Sequence, residues 1–113
     1  MDYIAVDMEW NQPFDKKHTK CRAGVRLTGE VIQIGAVRLS PDGEITDEFE
    51  VKIAPRIYTV IHYMVKKVTG ITQKELNRGV SLGDAVNEFR KWCGTDCVIF
   101  TWGPNDIPML RDN

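Results

Sequence analysis

The sequence has no long uninterrupted apolar run, and its Met1-Asp2 start is not followed by a basic region and then an apolar one. These two absences argue against a membrane-spanning helix and a signal peptide, so we expect a cytoplasmic protein with no membrane partner. An excess of one charge is also missing, because fifteen Lys and Arg residues stand against sixteen Asp and Glu residues, for a net charge of −1. Overall charge therefore gives no reason to expect a nucleic-acid binder, and any such surface must be a local patch.

Cysteine is scarce and shows no repeated C-x-x-C pair, the three residues being Cys21, Cys93 and Cys97. A zinc site built on Cys93 and Cys97 would need two further ligands, and neither His18 nor His62 stands at a finger-like spacing from them. We therefore expect free thiols in a reducing cytoplasm.

The composition is that of an ordinary globular domain, 42% hydrophobic and 27% charged over 113 residues. Apolar alternation and turn residues predict an antiparallel meander of three strands, followed by helices with one more strand between them. The fourth strand is hydrophobic without a break, which predicts burial on both of its faces. We expect a mixed α/β architecture in which this strand returns to lie beside the sheet. The predicted strands cover about residues 3–10, 30–40, 44–55 and 97–103, and the predicted helices lie within residues 60–72, 73–79, 81–94 and 104–113.

Two helix boundaries carry recognisable signals. Ser81 and Asp84 stand at capping-box spacing before the clearest helix, although Asp is a weaker partner than Glu or Gln. Gly70 and Gly94 are suited to end the helices that precede them.

The first strand carries two acids inside an apolar run, in the segment YIAVDMEW. A strand alternates its side chains, so Asp7 and Glu9 share one face with their Cα atoms about 6.6 Å apart. On an inner strand, two like charges cost desolvation and repulsion unless a positive group lies against them. No Lys or Arg stands within five residues of the pair, and we expect the positive group to be a divalent metal ion.

A third acid, Asp106, follows the predicted fourth strand. Ligands gather at the carboxyl ends of strands in such sheets, so this acid meets the first pair if the first and fourth strands are neighbours. The other two acid-x-acid pairs have structural explanations, because one lies in a turn and the other on a solvated strand face. They are Asp42 with Glu44 and Glu48 with Glu50.

Four segments occur in the order found in the DEDD family of 3′→5′ exonucleases, which belongs to the ribonuclease-H-like superfamily. The chain resembles that family in VDMEW, in GEVIQIGAV, in VTGIT at residues 68–72 and in TWGPNDIPML. The spacing W-G-x-x-D-x-x-x-L, together with TGI, is most similar to the ERI-type and proofreading-subunit-like branch. The resemblance extends over essentially the whole chain and implies a ribonuclease-H-like mixed sheet, with an antiparallel three-strand meander plus a parallel strand.

The resemblance also implies an activity, the hydrolysis of phosphodiester bonds at the 3′ ends of single-stranded RNA or DNA. In that family the acids of the first and second motifs bind two Mg²⁺ or Mn²⁺ ions, which implies Asp7, Glu9 and Asp106 as metal ligands and catalytic residues here. The chemistry agrees, because hard cations prefer carboxylate oxygens, and two of them about 3.5–4 Å apart can promote an in-line displacement at phosphorus.

The sequence departs from the family at its third motif, a fourth carboxylate preceded by a His or Tyr on a later helix. His18 and His62 both precede the second motif, and Asp112 stands too close to Asp106 to be the missing acid. We therefore interpret residues 1–113 as the N-terminal portion of a single exonuclease domain, inactive or weak in this form. The alternatives are a catalytically incomplete nuclease-like module that binds nucleic acid or protein, and an α/β domain whose acids bind a structural ion.

The family holds the terminal nucleotide with backbone groups just after the first acidic motif and around TGI. This implies substrate contacts from Trp10, Asn11, Thr69, Gly70 and Ile71. Trp10, at the strand end, could stack a terminal base.

Other candidate residues are open to more than one interpretation. The basic residues between the first two strands fit either a track for a phosphate backbone or a solvated loop. We expect Trp92 in the core, Trp102 packed beneath Asp106, and His62 on a helix surface. The basic residues are Lys16, Lys17, Lys20, Arg22 and Arg26.

Overall fold

A computed structural model describes residues 1–13 and 29–113. Four strands form one sheet in the order β3-β2-β1-β4, in which β4 runs parallel to β1 and the other pairs are antiparallel. The predicted meander with a returning parallel strand is therefore confirmed. The strands are β1 (Asp2–Asn11), β2 (Glu30–Leu39), β3 (Ile45–Lys52) and β4 (Cys97–Thr101), and the helices are α1 (Tyr63–Thr69), α2 (Gln73–Asn77), α3 (Leu82–Cys93) and α4 (Asp106–Asp112). The predicted basic residues, together with His18 and Cys21, lie outside the described residues.

The main core lies on one face of the sheet. Alternate residues of β1, namely Ile4, Val6 and Met8, are buried there against Ala85 of α3. The acids of β1 alternate with these apolar residues, so they are kept off the core face. No helix in the described part of the chain combines the length and the apolar character needed to span a bilayer.

A second, smaller core forms where β1 and β2 change register. The pairing shifts between Glu9 and Trp10, and such a β-bulge adds one residue to the partner strand, here Ile32. Ile32 is fully buried in a cluster with Ile71 and Leu76, which belong to the α1–α2 region. The bulge therefore directly follows Glu9, the second acid, and lies in the part of the sheet that packs against the α1–α2 region.

The helix ends follow local rules, with one difference from the predicted caps. Gly70 ends α1 in the left-handed conformation at φ 74°. The Ser81 side chain accepts a hydrogen bond from the Asp84 backbone N–H at the start of α3. The capping box with both hydrogen bonds is at α2 instead, where Thr72 and Glu75 each bond the other's backbone N–H.

The prediction that β4 is buried on both faces is wrong. Val98, Ile99 and Phe100 are 42%, 50% and 37% exposed. The physical reason is that, within residues 1–13 and 29–113, β4 pairs with β1 alone and forms an edge of the sheet. Hydrophobicity predicted the strand itself but could not tell a central position from an edge one.

Candidate active site

The first two acids project from the end of β1. Asp7 is exposed and Glu9 is half-buried, and both come just before the β-bulge. One oxygen of Asp7, Oδ1, accepts a hydrogen bond of 3.0 Å from the backbone N–H of Met8. Among the described residues, the other oxygens of the pair make no hydrogen bond or ion pair, which leaves them available as ligands.

The third acid arrives from the neighbouring strand. Because β4 runs parallel to β1, both strands have their carboxyl ends at the same edge of the sheet. Residues 102–105 connect β4 to α4, and Asp106 is the first residue of that helix. The far end of α4 is held to the sheet, since Asn113 accepts a hydrogen bond of 2.8 Å from Val31 N–H and donates one of 3.1 Å to the Gly29 carbonyl.

The three carboxylates act on one another electrostatically. Burial raises the pKa of Glu9, and the charges of Asp7 and Asp106 raise it further. Burial likewise raises the pKa of Asp106, with a further contribution from Asp7. Among the described residues, no Lys, Arg or His forms an ion pair with any of the three. The structure therefore brings these acids together without a cation from the described part of the chain to compensate them.

An open cavity of about 400 Å³ adjoins two of these acids. Small residues, including Gly35 opposite Asp7 on β2, form part of its wall, and the aromatic residues Phe100 and Trp102 form another part. A larger cavity of about 580 Å³ lies beside the end of α3 and has no acid in its lining. The first cavity is lined by Ala5, Val6, Asp7, Gly35, Ala36, Val37, Phe100, Trp102 and Asp106.

The donor set suits a hard divalent cation. Asp7, Glu9 and Asp106 offer only carboxylate oxygens, and the pKa values of Glu9 and Asp106 are raised, first by burial and then by the neighbouring acids. No group of three or more His, Cys, Asp or Glu side chains within residues 1–13 and 29–113 has the spacing of a ready-made metal site. The residue types thus fit a metal ion, while the described acids do not by themselves form a closed coordination shell.

The two residues after the first acidic motif are held by the fold. Trp10 is half-buried against the main core, and a Cβ atom placed on Gly29 would lie 2.8 Å from its ring. Asn11 is fully buried: its amide donates to the Tyr58 and Val60 carbonyls, both at 2.8 Å, and accepts from His62 N–H at 2.9 Å. Asn11 therefore ties the segment before α1 to the end of β1, and its side chain is inaccessible to a substrate.

The TGI segment forms the end of α1, an element that contacts β1. The Thr69 hydroxyl donates to the Val65 carbonyl at 2.8 Å and accepts from Ile71 N–H at 3.1 Å. Gly70 supplies the left-handed cap, and Ile71 is buried in the second core. These contacts explain the three residue types locally, and their substrate contacts stay a prediction.

Two polar residues have roles that sequence reasoning missed. The buried carboxylate of Glu30 accepts hydrogen bonds from the backbone N–H groups of Arg56, Ile57 and Tyr58, at 2.8 to 3.2 Å. His62 is buried rather than on the helix surface. It precedes α1, and its Nδ1 caps that helix by accepting a hydrogen bond from Met64 N–H. The only signal for Glu30 was an acid at the start of an apolar strand.

The aromatic residues also differ from expectation. Trp92 packs partly against the core, as predicted, and donates to Asp47 at 3.0 Å. Trp102 was expected beneath Asp106, and this is wrong, because its side chain is 94% exposed. A sequence signal for an exposed Trp102 was available, because this aromatic residue directly follows a strand and stands four residues before an acid.

This combination of sheet and acids defines a class of protein, the ribonuclease-H-like nucleases. The family model described as exonuclease (RNase T) matches residues 21–111. The chain belongs to that family, and the predicted membership of the DEDD exonucleases is confirmed.

Particular relatives agree with this assignment. The chain is 27% identical over 112 residues to the PolC-type DNA polymerase III of Clostridium perfringens, covering 99% of this chain and 7% of that protein. It is 31% identical over 96 residues to the ERI1 exoribonuclease 2 of Homo sapiens, covering 80% of this chain and 12% of that protein. The chain thus spans only a small part of the curated relatives that it matches.

The fold is shared with a solved nuclease. The nuclease domain of 3′hExo, a DEDDh family member bound to rAMP, superposes with a TM-score of 0.79 at 23% identity, covering 98% of this chain and 56% of that one. The predicted ribonuclease-H-like fold is confirmed by this match.

Proposed function

We propose that this chain is part of a 3′→5′ exonuclease that hydrolyses phosphodiester bonds at the 3′ ends of single-stranded RNA or DNA by a two-metal mechanism. The observation that carries the proposal is that Asp7 and Asp106 line one cavity next to the point where β4 ends beside β1, and that the charges of both act on Glu9. Acids that repel one another on a nuclease fold are suited to bind divalent cations rather than to stabilise the fold.

Asp7, Glu9 and Asp106 would hold two Mg²⁺ or Mn²⁺ ions. Such ions supply activation of water and neutralisation of charge on the phosphate. The chain's own part is to place oxygen ligands at the end of the sheet and to leave an open cavity beside two of them. Trp10, Thr69, Gly70 and Ile71 remain predicted substrate contacts, whereas the buried amide of Asn11 serves to position the neighbouring segment.

The solved relatives support a nucleic-acid substrate. The 3′hExo nuclease domain is bound to rAMP, and a related 3′-exonuclease recognises the 3′ end of a histone mRNA stem-loop. The E. coli exonuclease I was solved with oligonucleotides. We extend only the shared chemistry, a nucleic-acid 3′ end, to the present chain.

The described residues do not complete the proposed site. The family resemblance calls for a fourth acid and a nearby His or Tyr, and the described residues place neither beside the three acids. We therefore expect the 113-residue chain alone to bind metal weakly and to cleave slowly or not at all.

Calorimetric titration with Mn²⁺ tests the metal site in this chain. We expect weak binding in the wild type and its loss in Asp7→Asn and in Asp106→Asn. Asp42→Asn is the matched control, because Asp42 lies exposed in the turn before β3. If all four proteins bind Mn²⁺ equally, the metal assignment is wrong.

Trimming of a 5′-labelled oligonucleotide by the longer protein that contains this chain tests the reaction. Shortening from the 3′ end that requires Mg²⁺ or Mn²⁺ and is lost in Asp7→Ala supports the exonuclease. The alternative function, a nuclease-like binding module, is favoured by the lack of a closed group of metal ligands among the described residues. It predicts oligonucleotide binding that is independent of metal and never followed by cleavage.

A further inference from the structure

One of the three tryptophans, Trp102, is exposed to solvent beside the acids. Trp102 is 94% exposed, whereas Trp10 and Trp92 both pack against the main core. An exposed indole ring leaves a large apolar area in contact with water, and such a surface is characteristic of binding sites. Trp102, which was expected to pack beneath Asp106, is therefore exposed, whereas Trp10, which was expected to stack a base, packs against the core.

The location of Trp102 connects it to the candidate site. The residue directly follows β4 and lines the same cavity as Asp7 and Asp106. Phe100 lines that cavity too, so the acids and an aromatic surface border one open space of about 400 Å³. Carboxylates and indole rings recognise different parts of a nucleotide, the first through cations at the phosphate and the second through stacking on the base.

The backbone around Trp102 is held by a local turn. The Thr101 hydroxyl donates a hydrogen bond of 3.0 Å to the Gly103 carbonyl, which spans the tryptophan. Gly103 has φ 141°, a conformation that favours glycine over other residues. The turn therefore fixes where the exposed ring leaves the chain, and less conformational entropy is lost when a ligand stacks on it.

We propose that Trp102 is the stacking platform for a nucleobase next to the phosphodiester bond that the proposed exonuclease cleaves. The inference rests on the proposed function and adds a binding residue to it. Every base has a flat π-face, so this platform accepts RNA and DNA and discriminates little among bases. Trp10 does not take this role, because its ring is packed against Gly29 and the core.

The test is a double-mutant cycle between Trp102 and the base. The Kd of a fluorescent single-stranded oligonucleotide is measured with Ca²⁺ present, for oligonucleotides that are intact or that lack the base of the last or the second-last nucleotide. We expect Trp102→Ala to weaken binding of the intact oligonucleotide on the order of 10-fold, and Trp102→Phe to restore part of the loss. One of the two abasic oligonucleotides should bind wild type and Trp102→Ala equally, because the stacking partner is already gone.

A matched control separates stacking from general effects. Ile45 is 61% exposed on β3, the opposite edge of the sheet, so Ile45→Ala should bind all oligonucleotides as the wild type does. Stacking should also quench tryptophan emission in the wild type and not in Trp102→Phe. If Trp102→Ala weakens binding of intact and both abasic oligonucleotides by the same factor, or does not weaken it, the platform is refuted while the nuclease proposal stands. If the wild type binds no oligonucleotide, both proposals fail.

Discussion

The buried amide of Asn11 should be among the most sensitive positions in the chain. Its side chain makes three hydrogen bonds of 2.8 to 2.9 Å to the backbone of residues 58–62, and it is fully buried. Asn11→Ala would leave two carbonyls and one N–H without these partners, and each buried orphan costs about 1–3 kcal/mol. Water that enters the space left by the amide recovers part of this, so we expect a loss of about 3–6 kcal/mol, out of a total stability of about 5–15 kcal/mol.

Urea denaturation followed by circular dichroism measures this loss. Asn87→Ala is the control, because Asn87 is exposed on α3 and should change stability by less than about 0.5 kcal/mol. By thermal unfolding, Asn11→Ala should lower the midpoint by about 10–20 °C. A loss below about 1 kcal/mol, or one equal to that of Asn87→Ala, would refute the claim that this amide holds the segment in place.

Two further predictions concern backbone space and pH. Gly79→Ala should destabilise the fold by about 1–3 kcal/mol, since the added Cβ would lie 2.6 to 3.0 Å from the backbone of residues 52–54. Gly83→Ala in α3 is the control: its Cβ would meet nothing within 4 Å, and the change should stabilise the fold by up to about 1 kcal/mol. Chemical denaturation of both variants checks this pair, and equal effects would contradict it. Because burial and neighbouring acids raise the pKa of Glu9 and of Asp106, the folded protein without metal binds protons that the unfolded chain releases. The contribution of these two acids to stability is therefore fully present below their ordinary pKa values of 4.5 and 3.8, and it is lost as pH rises through the raised ones. Glu9→Gln should flatten this fall in melting curves measured from pH 3 to pH 8, and an unchanged slope would show that these acids do not destabilise the fold.

The strand pattern was predictable because it is local. Alternation along β1 separates Ile4 and Val6 from Asp7, and this needs only the period of a strand. The meander followed from turn residues, and the helix between β3 and β4 indicated that a strand returns to the sheet. The sequence did not determine that β4 pairs with β1, so the meeting of the acids at one edge was expected only on that condition.

What the sequence could not predict depends on tertiary position. The burial of a strand depends on how many strands flank it, and Ile99 on the edge strand β4 has the same hydrophobicity as a core residue. The burial of Trp10 depends on its packing against the main core and on the close approach of Gly29, which is far from Trp10 in sequence.

The elements that carry the acids are held by neutral amides. Asn11 fixes the end of β1 to residues 58–62, and Asn113 fixes the end of α4 to the start of β2. A Lys or Arg in either place would add a positive charge to an element that carries one of the acids, and that charge would disfavour a bound cation. An amide provides donors and an acceptor without a net charge, so it can define the positions of Asp7 and Asp106 and leave their charge uncompensated. In the described part of the chain, neutral amides therefore hold the elements that carry the acids and add no positive charge near them. This arrangement suits the metal site proposed above.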